Sequence, residues 1–473
     1  MKTIAFFLFC TCCIGLYAQE KIENAEAYKL IEAWLEAQKD YEELPAISAA
    51  IVKKQNQLWS GAFGYSNVEE GREAETNTIY SICSISKLFT AVAVMKLYDE
   101  GKLRLDDNIE DVLPWYDLEQ QYQDSGPITI RSLLTHSSGL PRENIFDHWN
   151  GPDYPTTTIE EIKESLSQQE TLYPASTYYQ YSNLALTLLG EVVTEVSGMP
   201  YEEYVRNNII EPLGLSDTRT FLPKDLHGGS FAIGYSSKTR KGDMVRINYY
   251  DMGGVAAAAG FSSNVHDLGK FASWQYRLID SSEAEILKPS TLRNMHNVHW
   301  TDADWGGTRG LGFGVRKADD GSKWVGHGGH CPGYKTTLQL HPKSGMAYSV
   351  MINSSGANPV KYVRGMHGIL NKYNSLDSLD VSIDTDLEEY GGFYDWSNLG
   401  ESFIIPWKGY LARIYFPTDN PSNAISLFKP IDKDLFQRMR EDKSLGETMT
   451  FQRDENGHIS EYRVYNYRNK KKE

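Results

Sequence analysis

Three short stretches carry side chains suited to acyl transfer: Ser84-Ile85-Ser86-Lys87, Tyr181-Ser182-Asn183 and His327-Gly328-Gly329. In the first, a hydroxyl and an amine stand three residues apart, and serine is a poor nucleophile until a base sits beside it. The second offers a phenol to move a proton and an amide to orient a carbonyl. The third offers backbone that a substrate can approach closely. Each pattern also recurs elsewhere, at Ser426…Lys429, Tyr65…Asn67, Tyr467…Asn469 and His227-Gly228-Gly229, so the motifs need context.

That context comes from the elements around them. From Ser84 to Glu100 apolar residues recur at helical spacing and stop at Gly101. The spacing predicts a buried helix with Ser84 in its first turn and Lys87 one turn on, on the same face. The free N–H groups of such a turn suit a developing oxyanion. Pro430 argues against a helix through the Ser426 copy. Tyr181-Ser182-Asn183 leads into a second helical run, Leu184–Val196. The plainer readings are a cap for Ser84, a surface lysine for Lys87, a packing or rim residue for Tyr181 and a turn residue for Asn183. Leu88 and Phe89 count against an exposed Lys87.

Residues 46–52 and 57–64 read as a strand pair, residues 103–261 as helices with long loops, and 310–325 and 334–353 as strands bracketing His327. This order predicts an α+β fold: an antiparallel sheet flanked by helices, with an all-helical subdomain. Glu23–Lys39 is amphipathic. Charged and small residues at 377–386 mark a boundary, and the short strand candidates beyond it predict a small all-β domain. The division is therefore a leader over 1–18, a main domain over 19–375 and a β domain over 384–473.

The chain from about Glu43 to about Val360 resembles the serine β-lactamase-like family, on the branch of class C β-lactamases, D,D-peptidases, D-aminopeptidases and esterases. The likeness rests on residues 78–87, 101–107 and 128–140, on Tyr181-Ser182-Asn183, on Glu211-Pro212-Leu213-Gly214-Leu215 and on His327-Gly328-Gly329, in family order. The resemblance implies Ser84 as nucleophile, Lys87 and Tyr181 as its acid–base partners, and Asn183, His327, Gly329 and His330 as substrate-binding residues. Either Lys87 or a Tyr181 phenolate can be the acylating base, and both stay open. An oxyanion hole made by the backbone N–H groups of Ser84 and His330 is also implied. His327 stands where many penicillin-binding relatives carry lysine, and a neutral imidazole is the poorer partner for a β-lactam carboxylate. Small peptides, D-amino-acid amides or esters are the implied substrates. A true β-lactamase or D,D-carboxypeptidase is the runner-up, and a catalytically silent receptor the alternative outside enzymes. His136 reads as a scaffold histidine. The last domain is similar to the lipocalin-like appendage of several family members, read here as a lid or packing module without its own ligand.

Composition sets further bounds. A net charge of −16 argues against nucleic acid as a partner. The basic run Lys470–Lys472 reads as a solvated tail. Lys2, the apolar run Ile4–Leu16 and Ala18 read as a signal peptide, predicting export to the periplasm or medium, and no stretch reads as a transmembrane anchor. Removing it leaves Cys83 and Cys331, read as free thiols rather than a disulfide. No cofactor or metal is called for, since neither HExxH nor HxHxDH occurs, and the absence of a GxSxG elbow argues against an α/β-hydrolase.

Overall fold

Ala46–Lys53 (β1) has almost no exposed residue, so it belongs at the centre of a sheet covered on both faces. Asn56–Asn67 (β2) folds back on it, with Ile47 opposite Phe63. The computed structural model describes residues 24–304, 306–318, 320–379, 386–396 and 400–472. The expected leader over 1–18 lies outside them. The chain forms two compact units: Pro45–Pro359, and a second made of the chain up to Leu44 together with Val360–Glu473.

In the first unit, Arg72–Glu73 (β3) extends β2, and Tyr80–Ser81 (β4) pairs with Ser262–Ser263 (β5) apart from the main sheet. Later strands are Trp300–Thr301 (β6), Thr308–Arg309 (β7), Gly314–Lys317 (β8), Lys323–Cys331 (β9), Tyr334–His341 (β10) and Met346–Ile352 (β11). The nine-stranded sheet runs β3-β2-β1-β11-β10-β9-β8-β7-β6. Every pairing is antiparallel. The helix Val265–Ile279, capped by the Asn264 side chain on the Asp267 N–H, packs on β1 and β11. Helices Ser86–Asp99 and Asn183–Ser197 pack together behind the sheet end, with Phe89 stacked 4.4 Å from Phe271. The fold is α+β, as the order of elements implied.

The second unit holds a closed barrel of eight strands. These are Gly392–Trp396 (β12), Glu401–Trp407 (β13), Tyr410–Phe416 (β14), Ser426–Asp432 (β15), Leu435–Met439 (β16), Leu445–Arg453 (β17), Ile459–Val464 (β18) and Tyr467–Lys471 (β19). Tyr390, Tyr394, Phe428, Phe436, Phe451 and Tyr462 fill its core. The basic tail is a correction to the sequence reading: Lys470 and Lys471 lie on β19, which pairs with both β18 and β12 and closes the barrel. The helices Ala25–Glu42 and Pro359–Asn374 fall largely with this unit, so the compact division differs from the 19–375 and 384–473 expectation. Trp34 of the first packs 5.6 Å from Tyr362 of the second and donates to Thr418 O at 2.9 Å.

Candidate active site

Ser84 sits in a single 3-10 turn, Cys83–Ile85, that feeds the helix Ser86–Asp99. It thus precedes the α-helix rather than occupying its first turn, and Cys83 takes a left-handed φ of 51° to make the approach. Ser86 Oγ donates to Cys83 O at 2.5 Å and accepts from the Phe261 N–H at 3.0 Å, which pins the turn. Gly101, φ 71°, ends the helix as its position implied.

Lys87 is fully buried. Its Nζ donates to Asn183 Oδ1 at 2.6 Å, to Ala258 O at 2.8 Å and to Ser84 Oγ at 3.2 Å. Burial disfavours the ammonium and outweighs the Glu143 charge, so its pKa falls to about 7. Tyr181 donates to Ser84 Oγ at 2.8 Å. Burial pushes its phenol well above the ordinary tyrosine value. The middle residue of Tyr181-Ser182-Asn183 is structural, because Ser182 Oγ accepts from the Ala185 N–H and caps the helix Asn183–Ser197. Asn183 therefore lies in the first turn, its Nδ2 donating to Glu143 Oε1 at 2.6 Å. His136 takes the scaffold role: its ring lies 4.4 Å from that of Tyr181, and Nδ1 accepts from the Ser182 N–H at 3.1 Å.

β8 pairs with β9 only as far as Gly326, so residues 327–331 keep one edge without a partner strand among the described residues. His327 is on this edge, 6.2 Å ring to ring from Tyr181, and burial followed by the Lys87 charge holds it neutral. Gly328 is exposed. At Gly329 a Cβ would collide with Thr336 Oγ1 and Ile82 O, so its bareness lets β9 lie against the Ser84 turn. Cys83 and Cys331 are buried free thiols.

A cavity of about 310 Å³ joins Ser84, Asn183 and His330 to Arg142, Glu143 and Trp149. Glu143 was not found from sequence, because its place depends on the Asn183 contact across the chain. Burial raises its pKa, but the nearby His148 and Trp149 donors, His148 Nε2 at 3.6 Å, and the hydrogen bond from Asn183 outweigh that, and the carboxyl is held below the usual range. The cluster has what acyl transfer needs: a hydroxyl, an amine partly neutral at neutral pH, and a phenol in contact with that hydroxyl.

The chain belongs to the beta-lactamase family. The sequence model of that family matches residues 31–367. A penicillin-binding protein of Bacillus subtilis is 24% identical over 59% of this chain and 62% of its own length. A putative D-alanyl-D-alanine carboxypeptidase of Escherichia coli is 26% identical over 62% of this chain and 73% of its own. Thus the chain spans less than two thirds of the Bacillus relative. The octameric penicillin-binding protein homologue of Pyrococcus abyssi superposes with a TM-score of 0.64 at 25% identity, covering 93% of this chain and 99% of that one. No helix among the described residues is long and apolar enough to cross a membrane.

Proposed function

We propose that this protein is an exported serine hydrolase that forms an acyl-enzyme at Ser84 and acts on D-amino-acid amides, small peptides or short esters. The observation that carries the reading is the environment of Lys87. Two of its partners, Asn183 Oδ1 and Ala258 O, can only accept. Once neutral, Nζ spends its two N–H bonds on them and turns its lone pair to Ser84 Oγ. Lys87 then takes the Ser84 proton as Oγ attacks the substrate carbonyl. Tyr181 starts as a phenol, since burial opposes the phenolate, and passes its proton to the leaving group while taking up the proton that Lys87 gained from Ser84, so that both groups return to their starting forms. This favours Lys87 over a Tyr181 phenolate as the acylating base. The N–H groups of Ser84 and His330 are assigned to the oxyanion.

Substrate choice follows the charges around the cavity. Glu143 is held ionised, while burial holds His327 neutral and partial desolvation lowers the pKa of the more exposed His330. Such a site favours an amine-bearing acyl group, as in an amino-acid amide with a free N-terminus. The exposed Arg142 at the same cavity favours the second reading, a D,D-carboxypeptidase that takes a terminal carboxylate. The basic, apolar and small residues of 1–18 support export, and the Bacillus and Pyrococcus relatives support a penicillin-related ancestry. The test is intact mass after mixing with a penicillin and, separately, with a D-alanine ester, using Ser84→Ala as control. A Ser84-dependent acyl adduct or turnover with the ester is expected. A lasting penicilloyl adduct without ester turnover favours the carboxypeptidase reading, and full ester turnover by Ser84→Ala removes Ser84 from the chemistry.

A further inference from the structure

The helical subdomain carries a second cavity, of about 1160 Å³, that shares no lining residue with the one at Ser84. It lies among the helices Ile159–Ser165, Asn183–Ser197 and Tyr201–Val205 and the segments 221–225 and 249–257, all within the unit Pro45–Pro359. One wall is firmly held. Thr90 Oγ1 donates to Ala257 O at 2.6 Å and shares a 2.6 Å hydrogen bond with Tyr201 Oη, and Ala257 and Tyr201 both line the space.

The charge on the walls is one-sided. Of two amines, Lys163 pairs with Glu191, and Lys224 lies 5.5 Å from the Tyr249 ring. Glu160, Glu202, Asp225 and Asp251 line the same space and make no ion pair among the described residues. Their fields overlap: partial burial and then the Asp251 charge raise the Glu202 pKa, while burial and then Asp251 and Asp225 raise that of Tyr249. Thr187, 2% exposed, also lines the cavity, and its hydroxyl has no hydrogen-bond partner among the described residues. A buried hydroxyl left so costs free energy until a ligand or water meets it. Beside these polar groups stands an apolar patch, Phe221 with Ile159 and Leu222, and the Phe221 side chain is 46% exposed.

Four carboxylates against one amine attract a cation, and the apolar patch gives the rest of a ligand somewhere to lie. We propose that this cavity binds a small organic cation, an ammonium carried on an apolar body. Its N–H groups meet the Glu202 and Asp251 carboxylates in charge-assisted hydrogen bonds, the Thr187 hydroxyl is a further acceptor, and the apolar body rests on Phe221. The proposal stands apart from the role of Ser84.

The test is calorimetric titration of the full chain with 2-phenylethylamine, with 2-phenylethanol, 3-phenylpropionate and magnesium chloride as comparison probes. An ammonium also suits Glu143, so the Ser84 cavity is the competing location, and Glu143→Gln is titrated in parallel. Saturable amine uptake is expected in the wild type and in Glu143→Gln. The double variant Glu202→Gln/Asp251→Asn should weaken it ~10-fold or more, as loss of charge-assisted hydrogen bonds implies. If that variant fails to fold, Phe221→Ala, at an exposed ring, must weaken uptake instead. No uptake by the wild type, or uptake unchanged in the folded variants, overturns the proposal. Uptake abolished by Glu143→Gln alone moves the amine to the Ser84 cavity and overturns it as well. Equal competition by 2-phenylethanol, 3-phenylpropionate or magnesium overturns the choice of an organic cation.

Discussion

At Lys87 the protonated and neutral forms present opposite groups to Ser84: an N–H donor in one, a lone pair in the other. Burial sets the crossover at about 7, far below the ordinary lysine value. Below that pH the amine carries its proton and cannot take the one on Ser84. We therefore expect kcat/KM to rise with pH through a single ionisation near 7, measured with a substrate that does not itself titrate there. A profile flat from acid to alkaline pH would remove Lys87 as the base. The same depressed pKa has a stability sign: from about 7 up to the unfolded value, the unfolded chain holds the proton that the folded one has released. This contribution to stability rises with pH across that window. Tyr181→Phe loses the 2.8 Å donor to Ser84, and kcat should fall at least ~10²-fold, the scale of lost acid–base help. A change confined to KM would make Tyr181 a binding residue. For Glu143→Gln we expect kcat/KM on amides with a free N-terminus to fall ~10-fold or more, while N-acetylated substrates change little. Equal losses on both would show that Glu143 acts through Asn183 instead.

The elements that carry these residues were legible to different depths. Apolar spacing after Ser84 announces its helix, and the Leu184–Val196 run announces the other, because both patterns are local. Glu143 was not legible: it belongs to a loop fixed by the tertiary bond from Asn183. Gly329 shows a different limit. Sequence assigns it to substrate approach, and the register of β9 against Thr336 and the Ser84 turn adds a packing reason for glycine that sequence does not reveal. In the barrel, β15 contains Pro430, and β19 reads Tyr-Arg-Asn-Lys-Lys, so neither shows plain alternation. Their pairing partners make them strands. The Gly329 assignment has its own test. Gly329→Ala adds a methyl group against the Ile82 carbonyl and the Thr336 hydroxyl, so β9 or the Ser84 turn must shift. We expect a loss of ~1–3 kcal/mol in chemical denaturation, the range for overpacked sites, and a fall in kcat with it. Unchanged stability with reduced kcat would return Gly329 to the substrate role. Gly328→Ala, at an exposed position where an added Cβ would meet nothing closer than the Thr336 carbonyl at 3.7 Å, should leave stability unchanged.

On the scale of the whole molecule, the barrel unit draws on both ends of the described chain: the helix Ala25–Glu42 from one and everything from Val360 from the other. Its stability therefore depends on contacts hundreds of residues apart in sequence, which local patterns do not reveal. Trp34 is the central one. It is fully buried, lies against Tyr362, donates to Thr418 O and sits where a Cβ on Gly365 would collide with it. Gln38 and Glu42, one and two turns on, extend the same face toward Asp419 and Lys361. Trp34→Ala removes a large buried ring and leaves a cavity that a helix seated on Gly365 cannot readily close. We expect the unit to lose ~3–5 kcal/mol, the usual range for such truncations. Denaturant unfolding followed by the near-ultraviolet signal of the barrel tyrosines should shift to lower midpoint. Trp34→Phe should recover part of the loss, because it restores ring volume but not the bond to Thr418. If the barrel signal keeps its midpoint in Trp34→Ala, the first helix is not part of that cooperative unit, and the division of the chain returns to the one its sequence suggests.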